Sequence, residues 1–217
     1  MSISKKALLL SVAVAAVLSG TQAVASEKIT GKAVGIVKGV MEVAGISRVQ
    51  NGKNTINPAF AKTSRPCPPF CIQPTSPFAP AAVDTVTELD IIHAARDMVA
   101  GDNNILLVDA RTPSWFKRGT IPHSINIPFT RVNSKALNKD PMGVVEVLTE
   151  NFGVIDLDGV LDYDKAKTLY LFCNGSWCGQ SPASIRALLT MGYPQDKIKY
   201  YRGGINSWES LGLTIVK

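Results

Sequence analysis

Between Arg65 and Pro80 the chain reads RPCPPFCIQPTSPFAP, six prolines within one short stretch. Each proline removes a backbone donor and holds φ near about −65°, so neither a helix nor an internal sheet strand can run through it. The segment must be a linker or an extended arm. It separates two parts of the chain that differ in pattern, and only one of them can carry a large regular core.

Upstream, 34-VGIVKGVMEVAGISRV-49 mixes small β-branched groups with Gly35, Gly39 and Gly45. Glycine at that density opposes a helix, which leaves short strands or partial order. Further upstream, Lys5 and Lys6 precede an apolar run from Ala7 to Leu18, and Ala23-Val24-Ala25 has the small-residue pattern of a cleavage site. Residues 1–25 therefore read as a signal peptide cut after Ala25. The expected mature chain is periplasmic or secreted, with no stable membrane insertion after cleavage. Residues 26–80 form an N-terminal extension that ends in the proline-rich CPPFC arm.

Downstream of Val83 helix and strand signals alternate. In 87-TELD-90, Thr87 and Asp90 have the spacing of a helix-opening capping box. The run 105-ILLVDA-110 is short, apolar and bounded, as a buried parallel strand would be. It is followed by a β-like 125-INI-127, a helix opened by Pro141, a second buried strand at 168-TLYLF-172 and a helix over 182–193. A strand over 197–201 and a short helix over 205–212 complete the series. The expected fold is α/β, an open parallel sheet flanked by helices and preceded by an irregular N-terminal extension. Sites in such sheets lie at the carboxyl ends of the strands.

The formal charge is +6; Lys5 and Lys6 supply two of these charges, leaving +4 on the mature side chains. No basic run accompanies this excess, which suits small anions and argues against nucleic acid. All four cysteines, Cys67, Cys71, Cys173 and Cys178, lie in the exported part, where disulfides persist. Three pairings are open. The C-x3-C and C-x4-C spacings, with no histidine at ligand distance along the chain, argue against a metal site.

Cys173 ends the strand at 168–172 and opens the loop 173-CNGSWCGQS-181. A strand-to-helix loop gathers backbone N–H groups, and the helix start adds partial positive charge. Gly175 and Gly179 allow those amides to converge, Ser181 is placed to cap the helix, and Pro182 suits its first position. A thiolate or a bound anion is stabilised in such a cradle.

The ordered motifs 109-DARTPSWFKRGTIPHSINIP-128, 169-LYLFC-173 and 201-YRGGINSW-208 resemble the single-domain rhodanese (sulfurtransferase) pattern over about residues 84–217. The resemblance implies that Cys173 accepts a sulfane sulfur as a persulfide. It also implies a small sulfur-containing anion such as thiosulfate as donor, a thiol, other thiophile or redox protein as acceptor, and no cofactor. The chain departs from the pattern in three ways. The cysteine loop is longer, it contains no Arg or Lys, and Thr120 stands where a histidine often precedes the Ile-Pro.

Cys178 has two readings, a resolving or protective thiol for Cys173 and half of a permanent loop disulfide. Cys67 and Cys71 likewise read as a structural disulfide or as a relay to the loop. Asn174, Gly175, Ser176, Trp177, Gly179, Gln180 and Ser181 form the expected cradle, and Trp177 reads first as loop packing, with a cover for the site as the alternative. Asp109 and Arg111 read first as a structural ion pair on the site side of the sheet. Alternative functions are a thiol-disulfide oxidoreductase using Cys173 and Cys178, and a non-catalytic exported binding module.

Overall fold

The computed structural model describes residues 31–53, 55–62 and 74–217. Residues 1–25, expected to be a signal peptide, and the CPPFC arm with Cys67 and Cys71 lie outside the described residues. The glycine-rich stretch is more regular than the irregular extension expected. Strands β1 (Lys32–Val34), β2 (Glu42–Val43) and β3 (Ile46–Gln50) form an antiparallel sheet in the order β1-β3-β2. Ala44 and Gly45 turn the β2–β3 hairpin with positive φ at both positions, the backbone form that suits the twist of a tight hairpin. A single 3-10 turn at Pro58–Phe60, capped by the Asn57 side chain, follows.

Beyond Val83 come β4 (Asp84–Val86), α1 (Glu88–Val99), β5 (Ile105–Asp109), α2 (Pro113–Phe116) and β6 (Ile125–Asn126). Next are α3 (Ser134–Lys139), α4 (Pro141–Asn151), β7 (Ile155–Leu157) and β8 (Val160–Asp162). The chain ends through β9 (Thr168–Phe172), α5 (Gln180–Thr190), β10 (Ile198–Tyr201) and α6 (Gly204–Ser210). The Asp90 carboxylate accepts from both the Thr87 N–H (2.8 Å) and the Thr87 hydroxyl (3.0 Å), fixing the start of α1 as its sequence foretold. Several elements were not foreseen, among them β4, α2, α3 and the β7–β8 hairpin. Helix α3 is capped by Asn133, and the β7–β8 hairpin turns on Asp158-Gly159 with positive φ at both residues. An Asp-Gly pair between apolar residues is a hairpin signal that the sequence did carry.

The main sheet has the order β4-β10-β9-β5-β6, and every neighbouring pair is parallel. Both faces are covered, which is why β5 and β9 read as apolar runs. On one face Leu106, Val108, Leu169, Leu171 and Ile198 pack against Val144, Val147 and Leu148 of α4 and Ile185 and Leu188 of α5. On the other, Leu107, Phe172 and Tyr201 meet Ile91 and Ile92 of α1 and Ile205 and Trp208 of α6.

Ile46 of β3, fully buried, and Phe60 belong to that second core, so the N-terminal extension closes one face of the sheet. Burying an isoleucine stabilises by about 1.5–3 kcal/mol, more than a typical hydrogen bond at about 1 kcal/mol. Apolar burial therefore holds the extension, and hydrogen bonds set its register. Val49 N–H donates to Gly212 O (2.8 Å) and Thr214 N–H to Ser47 O (3.1 Å). The C-terminal segment is bridged on its other side to Thr120.

Candidate active site

Strand β9 is the middle strand of the sheet, and Cys173 follows it directly at the carboxyl edge, 2% exposed. Helix α6 clamps the start of the loop. Ile205 N–H donates to Cys173 O (3.0 Å) and Asn206 N–H to Asn174 O (2.9 Å). This approach requires glycine at 204. Its φ is +57°, and a Cβ there would run into Cys173 O and lie 2.7 Å from Gly175 N. The Gly203-Gly204 pair of the sequence motif thus sets the distance between α6 and the cysteine loop.

Cys178 N–H donates to Gly175 O (2.9 Å), a turn that folds the loop back on itself. The fold brings Cys178, itself buried, onto Cys173, and the two are joined as a disulfide with Cα atoms 6.3 Å apart. Among the described residues, the amides of Asn174, Gly175, Ser176, Gly179, Gln180 and Ser181 donate to no backbone or side-chain acceptor. These are the donors that a strand-to-helix turn leaves unpaired.

Helix α5 begins at Gln180, with Gly179 in the N-cap position, not at Pro182 as its sequence suggested. Ser181 is therefore no cap. It lies in the first turn, fully buried, and its hydroxyl donates to Cys173 Sγ at 3.2 Å. Starting the helix two residues earlier converts Ser181 from an end-stop into a direct partner of the sulfur. Gln180 Oε1 is buried without a hydrogen-bond partner among the described residues.

Asp109 and Arg111, 0% and 1% exposed, form a closed network at the end of β5. Arg111 Nε donates to both carboxylate oxygens of Asp109 (2.9 and 3.0 Å), and Nη2 donates to Asp109 Oδ2 and Gly119 O (2.6 Å each). Thr120 Oγ1 adds a donor to the carboxylate at 2.8 Å, which is the work found at the position where a histidine was noted as missing. Asn126 Nδ2 ties the carbonyls of Asp109 and Arg111. The ion pair is structural, and one long bond links it to the site, from Arg111 Nη1 to Asn174 Oδ1 at 3.4 Å.

The Trp177 ring packs against Gly175 within the loop. A Cβ on Gly175 would meet its ring at 2.6 Å, so glycine is what lets the indole settle there. Phe60 meets Trp177 edge-on with centroids 6.0 Å apart and stacks on Trp115 at 6.1 Å. Arg118 sits over the Trp115 ring at 4.6 Å. The described part of the extension thus reaches the cysteine loop through Phe60, and His123 anchors it elsewhere, with Nε2 2.8 Å from Ala44 O. Phe60 and Trp115 were not singled out in the sequence, where no local pattern pairs residues so far apart.

A model of the rhodanese-like domain matches residues 92–211, and the chain belongs to that family. Thiosulfate:glutathione sulfurtransferase of Saccharomyces cerevisiae is 30% identical over 111 residues, covering 51% of this chain and 69% of that protein. Among solved structures, an uncharacterized S. cerevisiae protein is 26% identical, covers 60% of this chain and 93% of its own, and superposes with a TM-score of 0.37. A human single-domain sulfurtransferase is 22% identical, with 58% and 95% coverage and a TM-score of 0.37. The family and the yeast relative support a sulfurtransferase-type function.

Proposed function

We propose that the protein is an exported sulfurtransferase in which Cys173, once reduced, takes the outer sulfur of a small anion such as thiosulfate as a persulfide. The observation that carries this reading is the placement of Cys173 Sγ at the carboxyl edge of the middle strand, under the Ser181 hydroxyl and beside the first turn of α5. A helix start and a hydroxyl donor both favour a thiolate over a thiol. The thiolate attacks the sulfane sulfur, the sulfur–sulfur bond of the donor breaks, and sulfite leaves with its electron pair. The loop amides then face a persulfide anion in place of a thiolate, so the negative charge has donors before and after transfer.

Single-turnover incubation of the reduced protein with thiosulfate, followed by peptide mapping, tests the reading. Sulfite release is expected, with the incoming sulfur found first on the Cys173 peptide when the reaction is quenched early with an alkylating agent, and Cys173→Ser should abolish both. Label on Cys178 in the wild type, or sulfite release by Cys173→Ser, would move the nucleophile elsewhere. Export rests on the pattern of residues 1–25 and is tested by fractionation of cells expressing the full chain.

A further inference from the structure

We propose that Cys178 is a second catalytic residue, which resolves the Cys173 persulfide inside the loop and makes the protein release hydrosulfide at the expense of a dithiol. This rests on the sulfur-transfer reading above and specifies its acceptor. The supporting observation is that the two sulfurs are bonded with the loop in its folded form, closed by the Cys178 N–H to Gly175 O turn. Cys178 Sγ therefore reaches the inner sulfur of a Cys173 persulfide without any rebuilding of the loop.

The surroundings favour this internal route over transfer to an outside acceptor. Cys173 is 2% exposed and Cys178 is 7% exposed, within a loop whose Trp177 ring packs against Gly175 and meets Phe60. A bulky acceptor must open the loop to reach a sulfur buried this deeply, whereas Cys178 is already within bonding range. The Ser181 hydroxyl on Cys173 Sγ, not on Cys178, marks Cys173 as the sulfur that is held in place and Cys178 as the one that attacks.

The chemistry balances. In the first step the Cys173 thiolate and thiosulfate give the Cys173 persulfide anion and sulfite. In the second, the Cys178 thiol and the persulfide anion form the Cys173–Cys178 disulfide, breaking the bond between the inner and outer sulfurs. The outer sulfur leaves with that electron pair and the Cys178 proton as hydrosulfide. In the third, a dithiol, small or carried by a redox protein, reduces the disulfide through a mixed disulfide and is itself oxidised. The net conversion is thiosulfate plus dithiol to sulfite, hydrosulfide and oxidised dithiol. The disulfide seen in the structure is then the state between sulfide release and re-reduction.

The test is a single turnover of the reduced full chain, desalted free of thiol and held under anaerobic conditions, with thiosulfate as the probe. Sulfite, hydrosulfide and intact mass are measured together. The wild type should release sulfite and hydrosulfide in equal amounts and end two hydrogens lighter than the reduced chain, with no added sulfur. Cys178→Ser should give the same sulfite burst, lose hydrosulfide release, and retain one sulfur on Cys173. That sulfite burst shows that the variant is folded, and Cys178→Ala serves if the serine variant is not.

Sulfite without hydrosulfide from the wild type, with a lasting persulfide, would overturn resolution by Cys178 and leave the sulfurtransferase reading standing. Undiminished hydrosulfide release by Cys178→Ser would also overturn it and shift the role to Cys67 or Cys71. No sulfite from the reduced wild type would remove the sulfurtransferase reading itself.

Discussion

The loops that leave β5 and β9 lie side by side at one edge of the sheet and meet different ends. After β5, Asp109, Arg111, Thr120 and Asn126 bond to one another and to the backbone, so a buried charge pair has nearly every donor and acceptor matched. After β9, two sulfurs lie among amides that have no acceptor among the described residues. Matched groups hold shape, while unmatched donors beside a nucleophile are ready to meet charge that appears during reaction. The lesson is that burial and charge by themselves do not mark the chemistry at this edge; unsatisfied donors around a nucleophile do.

The strongest way to break the comparison is at its structural half. Arg111→Met leaves the Asp109 carboxylate buried and unpaired, and should cost about 3–5 kcal/mol, read as a lower denaturation midpoint. Activity per folded molecule should fall far less, because among the described residues the side-chain link from Arg111 to the loop is the 3.4 Å bond to Asn174. Gly204→Ala strikes the loop through its clamp. Its Cβ meets the Cys173 carbonyl, so a cost of about 1–3 kcal/mol should come with loss of the sulfite burst. Normal activity in this variant would mean that α6 does not set the position of Cys173.

Ser181→Ala sharpens the distinction. A hydrogen bond to a charged group is worth about 1.5–3 kcal/mol, so the sulfite burst should slow by about tenfold or more. The denaturation midpoint should hold, since alanine suits a first helical turn. An unchanged burst would reduce Ser181 to packing.

The smallest effect concerns a buried donor with no nucleophile beside it. The Tyr200 hydroxyl has no hydrogen-bond partner among the described residues, and burial pushes its phenol up to about 12, against a small lowering by Arg202 and Arg186. An unfolded phenol titrates near about 10. The contribution of this group to stability is therefore full below pH 10 and is lost as pH rises through about 12, because the unfolded chain releases its proton first. Tyr200→Phe should leave stability at pH 7 within about 1 kcal/mol or raise it, and should flatten the alkaline decline. Burial pushes Tyr193 and Tyr201 up as well, so some decline should remain.

Much of this architecture was legible along the chain. The apolar runs of β5 and β9, the Thr87–Asp90 box and the Pro141 helix start are local signals, each complete within a few residues. The position of Cys173 at a strand end was legible for the same reason. The exact start of α5 was not, because Gly179 and Gln180 are weak helix signals and Ser181-Pro182 a strong one. The Asp158-Gly159 hairpin was legible and passed over.

What the sequence determined by itself is the order of strands and helices, the two-sided burial of the sheet, and a cysteine at its carboxyl edge. Periodicity and turn chemistry are properties of neighbouring residues. Only the tertiary structure decided that β3 pairs with the segment near Gly212, that Phe60 reaches Trp177, and that Ser181 faces sulfur. Those contacts join residues more than a hundred positions apart, or turn on a helix start shifted by two residues. Whole surfaces packing together select them, and no local stretch of sequence encodes that choice.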